Sequence, residues 1–268
     1  MGQTIACANQ KGGVGKTTTV VNLGSYLALD GERVLVVDLD PQGNATSGLG
    51  LNRSIIERSI YNAIVDGVPI DELIVAGPHE GLDVVPSAIE LAGAEVELAP
   101  VEGRERRLKR LLGRVTAEYD YILVDCPPSL GLLTVNALTA ADSVLIPLQC
   151  EYYALEGLTQ LLATLELIRD HLNPDLAING VVLTMYDART KLSADVAQET
   201  RRYLGERVYK TVIPRSIRLA EAPSHGLPIP RYAPDSTGAI AYAALAAELQ
   251  AREDESQDAD LAGARAVS

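Results

Sequence analysis

The chain has no phenylalanine and no tryptophan, so aliphatic side chains must fill whatever core it builds. Cysteine is scarce. Cys7, Cys126 and Cys150 are odd in number, far apart, and each lies in or beside an apolar run. Buried reduced thiols are the reading that fits, not a disulfide framework. With no CxxC pair and no Cys/His cluster, the sequence offers no zinc site. No apolar run approaches the ~18 residues of a membrane-spanning helix. The first residues pass straight into Thr4-Ile5-Ala6-Cys7-Ala8, without a basic stretch ahead of a long apolar one, so no signal peptide is expected. A cytoplasmic protein is the expectation. No fixed-period repeat and no Pro- or Ser-rich linker divides the 268 residues, nearly half of which are hydrophobic. That composition supports one domain with a sizeable core.

Positive charge is also in short supply, with a formal net charge of −13. Taken globally, this opposes nucleic-acid binding. The distribution matters more. Residues 248–268 carry six acids against two arginines, whereas residues 185–219 hold eight bases against four acids. A local basic patch can bind phosphates on an otherwise acidic protein. The acidic, small-residue stretch 251–268 cannot bury enough surface to offset its ordering, and is expected to be a disordered tail following a domain of residues 1–250.

Short apolar runs alternate with segments of helical period. Residues 5–8, 34–37, 82–85, 121–124, 143–147 and 178–183 read as buried strands, with 208–213 as a further one. Helices are expected near 16–30, 104–118, 132–140, 155–171, 193–204 and 236–250. This alternation implies an α/β fold: a doubly wound, mostly parallel sheet with helices on both faces.

The strongest local signal is Lys11-Gly12-Gly13-Val14-Gly15-Lys16-Thr17-Thr18, between an expected strand and an expected helix. Glycines let the backbone curl so that several N–H groups face one anion, and the helix N-terminus adds its positive end. Lys16 is placed to reach the β- and γ-phosphates of a nucleotide. Thr17 supplies a hydroxyl to Mg²⁺, and Thr18 a hydroxyl or N–H to the α-phosphate. The general phosphate-loop pattern begins with glycine; here Gln10 stands at that place and Lys11 follows it.

Two apolar strands end in acids. One runs into Asp38-Leu39-Asp40-Pro41-Gln42-Gly43-Asn44, the other into Asp125-Cys126-Pro127-Pro128. In an open parallel sheet, ligands bind beyond the carboxyl ends of the strands, so these acids converge on the phosphate loop's edge. Asp125 is the expected magnesium-side carboxylate, acting through a bound water, and Asp38 could add to it. Asp40, one step further out on a Pro/Gly loop, could orient or deprotonate an attacking water.

With Lys11 in the loop, these segments closely resemble the ParA/MinD group of deviant-Walker ATPases. The stretches Ala45-Thr46-Ser47-Gly48-Leu49-Gly50, Glu151-Tyr152-Tyr153-Ala154-Leu155-Glu156-Gly157 and Ala220-Glu221-Ala222-Pro223-Ser224-His225-Gly226 narrow the resemblance to ParA/Soj partition proteins, over roughly residues 1–250. The resemblance implies an ATPase that uses ATP and Mg²⁺ and forms an ATP-bound homodimer. Lys11 would be the signature lysine that crosses to the partner's phosphates, Gly12 the closest approach between subunits, and Asp40 the hydrolysis aspartate. It implies non-specific binding of double-stranded DNA through Arg189 and Arg218, with Arg215 as an extension, and a ParB-type partner that stimulates hydrolysis. It places the adenine near Met185, Pro214 and Arg215. The expected location is then the cytoplasm, in association with the nucleoid.

Other families share this phosphate site. A MinD-type membrane ATPase would end in a basic amphipathic helix, and this chain ends in acids. A cobyrinate- or dethiobiotin-type ligase would need a substrate pocket that nothing in the sequence marks.

Overall fold

The computed structural model describes residues 2–151 and 154–266. Eight strands form one sheet: β1 Gln3–Cys7, β2 Val34–Asp38, β3 Val75–Ala76, β4 Leu82–Val85, β5 Tyr121–Asp125, β6 Ser143–Gln149, β7 Ala177–Tyr186 and β8 Val208–Pro214. Their order is β3-β4-β2-β5-β1-β6-β7-β8. Every neighbouring pair is parallel except β3 with β4. The expected strands are all present. Only β3 was not expected, because two exposed residues carry no readable alternation.

The helices are α1 Lys16–Leu29, α2 Asn44–Gly48, α3 Ala94–Glu97, α4 Arg107–Leu112, α5 Leu132–Ala140, α6 Ala154–His171, α7 Lys191–Leu204, α8 Ile217–Glu221, α9 Ile229–Tyr232 and α10 Thr237–Ala266. The expected helix over 104–118 is broken into a 3₁₀ turn, α4 and a second 3₁₀ turn. Gly113 follows α4 directly, and glycine weakens a helix interior.

Alternate strand residues feed two cores. Ile5, Cys7, Val34 and Val36 face the layer that holds α1 and α10, whereas Ala6, Leu35, Val37 and Val124 face the layer of α4, α5 and α6. Burial on both faces explains why these strands read as continuous apolar runs. Tyr209 and Tyr242 are the largest fully buried side chains, taking places that phenylalanine or tryptophan would otherwise hold.

Over residues 251–266, where a tail was expected, α10 continues to Ala266. Ala, Glu, Gln and Arg are favourable helix formers, and no proline interrupts the run. Its first turns are also anchored. The Arg252 guanidinium lies 4.0 Å from the Tyr209 ring centre and bonds Glu248 at 2.9 Å, while the Tyr121 hydroxyl donates to Glu253. Tyr152 and Tyr153, in the stretch that narrowed the family resemblance, lie outside the described residues.

Candidate functional site

Strand β1 ends at Cys7, and residues 8–15 turn back over the sheet edge into α1. Gly13 (φ +73°) and Gly15 (φ +91°) occupy the left-handed region, which a side chain would strain, so the loop depends on glycine at both places. Asn9 braces it: Nδ2 donates to Pro147 O at 2.7 Å and Oδ1 accepts from Lys11 N at 3.0 Å. The Thr184 hydroxyl donates to Val14 O at 2.8 Å, pinning the loop to β7. Below it, the buried hydroxyls of Thr19 and Tyr242 are bonded at 3.2 Å, tying α1 to α10. Lys16 is buried, and its Nζ donates to Lys11 O at 3.3 Å, across the loop.

The two lysines of the loop differ in setting. Lys11 Nζ pairs with Glu151 Oε2 at 3.4 Å. The other oxygen of Glu151 accepts from Gln149 Nε2 at 2.6 Å and lies 3.6 Å from the Arg215 guanidinium.

A cavity of about 370 Å³ is lined by Gly12, Gly13, Gly15, Lys16, Thr17, Thr18, Asp40 and Pro128, among others. A second, of about 290 Å³, adjoins it at Gly15, Thr18 and Met185 and is lined further by Pro214, Arg215, Leu219 and Tyr242. Met185 has φ +51°, the one positive value outside glycine among the described residues. A side chain held there is strained, which draws attention to this wall of the pocket. Met185, Pro214 and Arg215, expected at the adenine, thus line one cavity, and the phosphate-loop residues line the next.

The carboxylates separate by partner. Asp38 and Asp125 are paired in register on β2 and β5, and both are fully buried. Asp38 Oδ2 accepts from the backbone N of Thr46 at 2.8 Å and from its hydroxyl at 2.6 Å, while Oδ1 accepts from Asp40 N at 3.2 Å. Neither oxygen of Asp125 accepts a hydrogen bond of good geometry, although the Thr17 hydroxyl lies close enough to favour its charged form. Burial pushes its carboxyl well above the usual range, with Asp38 beside it adding to the rise and the Thr17 hydroxyl and Lys16 opposing it. Burial also pushes Asp38 up, to about 6, against the hydrogen bonds from Thr46. Asp40 sits on the loop after β2, accepts from Gln42 N at 2.9 Å, and reaches the phosphate-side cavity.

A buried carboxylate without partners is costly, so its presence calls for a positive ligand. Among the described residues, no group of three or more His, Cys, Asp or Glu side chains gathers to hold a metal. Mg²⁺ keeps most of its water and takes one or two protein ligands, so Thr17 with Asp125 suits it.

The expected DNA arginines follow β7 and β8, at the carboxyl edge of the sheet. Each faces an acid: Arg189 with Asp187 at 2.7 Å, Arg218 with Glu221 at 2.9 Å, and Arg215 with Glu151. Arg189 holds Asp187 well below the usual carboxylate range. All three side chains remain largely exposed. Sequence reading overlooked Glu151, Thr46, Thr184 and Tyr242 as parts of this site. Only Thr46, closely following the Asp38–Asp40 pair, carried a local signal.

A parallel sheet, a glycine-rich loop opening a helix, and strand-end carboxylates around one cavity define a P-loop nucleoside triphosphatase. A family model described as an AAA domain matches residues 2–178. The sporulation initiation inhibitor protein Soj of Bacillus subtilis is 61% identical over 251 residues, covering 94% of this chain and 99% of that protein. The chromosome partitioning protein ParA of Myxococcus xanthus is 52% identical, over 94% of this chain and 89% of that one. The crystal structure of cobyrinic acid a,c-diamide synthase from Mycobacterium smegmatis, with bound ADP and magnesium, superposes with TM-score 0.81. It shares 41% identity and covers 92% of this chain and 93% of that one. The chain belongs to the Soj/ParA family of chromosome-partitioning ATPases.

Proposed function

We propose that the protein binds ATP with Mg²⁺, pairs with a second copy in that state, holds DNA without sequence preference, and hydrolyses ATP when a ParB-type partner stimulates it. Cycles of this kind move or position replicated DNA in the cytoplasm, on the nucleoid. The observation that carries the reading is the junction of three features: a phosphate loop with Lys16, the loop acid Asp40 on the same cavity, and the buried Asp125 behind them.

Lys16 exchanges its bond to Lys11 O for the β- and γ-phosphates. Thr17 and, through water, Asp125 hold the magnesium ion, which when bound neutralises charge on the phosphate oxygens. Asp40 orients the attacking water or takes its proton. Lys11 leaves Glu151 and crosses to the partner's phosphates, adding positive charge where the transition state gathers negative charge.

Gly12 supports the pairing. A Cβ there would meet only Pro128, at 3.7 Å, and its backbone is not left-handed. Nothing within one subunit requires glycine at this position, which leaves room for the close approach of a second copy. Gly12→Val is expected to leave a monomer that still binds ATP. Light scattering with ATP checks this, and a normal dimer would move the interface elsewhere.

Arg189 and Arg218, with Arg215, grip DNA phosphates. The basic character of this edge becomes available as the acids that face these arginines yield to phosphate. No described helix is long and apolar enough to cross a bilayer. A diamide-synthase role is disfavoured. All three cysteines are buried, and burial pushes every thiol up, Cys150 to about 11. None offers the thiolate with which an enzyme would draw ammonia from an amide donor.

The test is binding of a mixed-sequence duplex with ATP, with ADP and without nucleotide, across a salt titration. ATP-dependent binding that weakens with salt is expected. Equal binding in all three states would contradict nucleotide control, and no binding in any would move the cargo to a protein.

A further inference from the structure

The first strand-end acid does not look like a metal ligand. Asp38 is fully buried, and three donors already converge on it: the Thr46 hydroxyl at 2.6 Å, Thr46 N at 2.8 Å and Asp40 N at 3.2 Å. An ionised carboxylate offers about four acceptor positions, so little is left for a cation or its water. Asp125, its register partner on the neighbouring strand, accepts no hydrogen bond of good geometry and has only the Thr17 hydroxyl and Lys16 near it to favour its charge. Two adjacent acids of the same type thus meet opposite environments.

The hydroxyl of Thr46 has two tasks. It donates to Asp38 and accepts from Ser87 N at 2.9 Å. Ser87 follows β4, Asp38 ends β2, and Thr46 lies in α2, so three separate elements meet at one buried oxygen. Thr46 is itself fully buried. Between Asp38 and Thr46 the chain forms the loop that carries Asp40. Both ends of that loop are therefore fastened to the same carboxylate: Asp40 N to Oδ1, and Thr46 to Oδ2.

Within the loop, Gly43 N donates to Asp40 O at 2.8 Å, and Gly43 adopts φ +62°. Gln42 N donates to the Asp40 side chain. The loop is short and internally bonded, so a shift at its base moves Asp40 as a unit. A displacement of about 1 Å in a reacting group is enough to cost two orders of magnitude in rate.

We infer that Asp38 is a positioning residue for the hydrolysis loop, acting with Thr46 and the Ser87 backbone to set Asp40 against the phosphate cavity, and is not a magnesium ligand. The inference rests on the proposed role of Asp40 in hydrolysis. It assigns the Thr46 hydroxyl a functional part, and it leaves Asp125 as the one strand-end acid on the metal side.

The roles differ in what substitution does to the magnesium dependence. Asp38→Asn keeps the size of the side chain but turns one acceptor into a donor facing the N–H or hydroxyl of Thr46. If Asp38 positions Asp40, partner-stimulated kcat falls about 10- to 100-fold. KM for ATP and the magnesium concentration giving half-maximal rate then stay within about twofold of wild type, and the ATP-bound dimer persists longer. If Asp38 is a metal ligand, the magnesium requirement rises about tenfold or more, and excess magnesium or manganese restores the rate; that outcome overturns the inference.

Thr46→Val and Thr46→Ser decide the matter should Asp38→Asn fail to fold. Valine preserves the shape but not the hydroxyl, and kcat is expected to fall to a similar extent at unchanged magnesium dependence. Serine restores the hydroxyl, and most of the lost turnover should return. Wild-type turnover in Thr46→Val would sink the proposed network. Asp40→Ala is run alongside. If it turns over normally, the hydrolysis reading itself fails, whereas normal turnover in Thr46→Val with a dead Asp40→Ala refutes only the positioning role.

Discussion

The two ends of the parallel strands treat their acids in opposite ways. At the amino ends, Asp120 takes the Arg33 guanidinium at 3.1 and 2.8 Å and Arg33 N at 2.9 Å, and Arg33 holds its carboxyl below the usual range. Asp142 there accepts from Thr4 N at 2.8 Å. At the carboxyl ends, Asp125 lies fully buried and accepts no hydrogen bond of good geometry, with only the Thr17 hydroxyl and Lys16 near it to favour its charge. Acids at the first end fasten loops to the sheet. At the second end, one acid is kept in a setting that costs stability, as functional sites commonly require. The comparison predicts that substitutions at the carboxyl edge change function and those at the amino edge change only stability.

The largest effect is expected at Lys16. Lys16→Ala removes the buried charge that the proposed function sets on the phosphates, and ATP affinity should fall about 100-fold or more by titration calorimetry. Unchanged affinity would break the comparison at its functional end.

Asp125→Asn sharpens it, because function and stability should move in opposite directions. Magnesium-dependent turnover is lost, yet the nucleotide-free protein gains about 1–3 kcal/mol at pH 8, since a buried ionisable carboxyl is replaced by a neutral amide. The sign follows from the raised carboxyl. The folded state holds its proton to higher pH than the unfolded chain, whose Asp titrates near ~3.9, so wild-type stability falls as pH rises from there. The Asn variant should show a shallower fall. Thermal denaturation across pH, with and without Mg-ATP, measures both. A variant less stable than wild type at pH 8 would mean that Asp125 is structural after all.

A smaller change is expected from Glu151→Gln. Glu151 holds Lys11 within the unpaired subunit, through an ion pair whose side chains are 38% and 43% exposed. Exposed pairs contribute about 0.2–1 kcal/mol each, and a dimer that recruits both lysines must break two. The concentration for ATP-dependent dimerisation should fall about two- to thirtyfold, while ATP affinity of the monomer stays the same. Sedimentation across protein concentration reads the shift. An unchanged midpoint would remove Glu151 as a brake on pairing.

Much of this was legible in the sequence because the signals are local. The seven longer strands announce themselves as apolar runs, and the phosphate loop's glycines, lysines and threonines are contiguous. Asp38 and Asp125 both end apolar strands, and the sequence favoured Asp125 for magnesium while leaving Asp38 as a possible addition, because nothing local shows what engages Asp38. Their difference arises from Thr46 and Ser87, brought in from another helix and another strand end. Glu151 meets Lys11 across 140 positions, and the Tyr242 hydroxyl meets Thr19 across 223. The continuation of α10 was missed for a related reason. Acidic composition argued for disorder, but Arg252 packs on Tyr209 and Glu253 receives the Tyr121 hydroxyl, which fixes the helix beyond Gln250.

Glu253 is the acid that tests the amino end hardest. One of its oxygens accepts from Tyr121, but the other is buried without a partner, as in Asp125. Burial pushes its carboxyl up to about 7, with Glu32 and Asp254 adding to the rise. An unfolded Glu titrates near ~4.3, so between that pH and 7 the folded state binds the extra proton. Stability is therefore lost as pH climbs through this window and is level above it. Glu253→Gln should flatten that dependence and stabilise the protein at pH 8 by about 1 kcal/mol, the partial exposure screening a larger shift. ATP turnover should not move, because the residue lies at the opposite edge of the sheet from the phosphate loop. Denaturant melts at pH 5 and pH 8, with turnover measured in parallel, check both halves. A loss of turnover without a change in the pH dependence would show that an unpartnered acid marks function at either end, and the contrast between the two edges would fall.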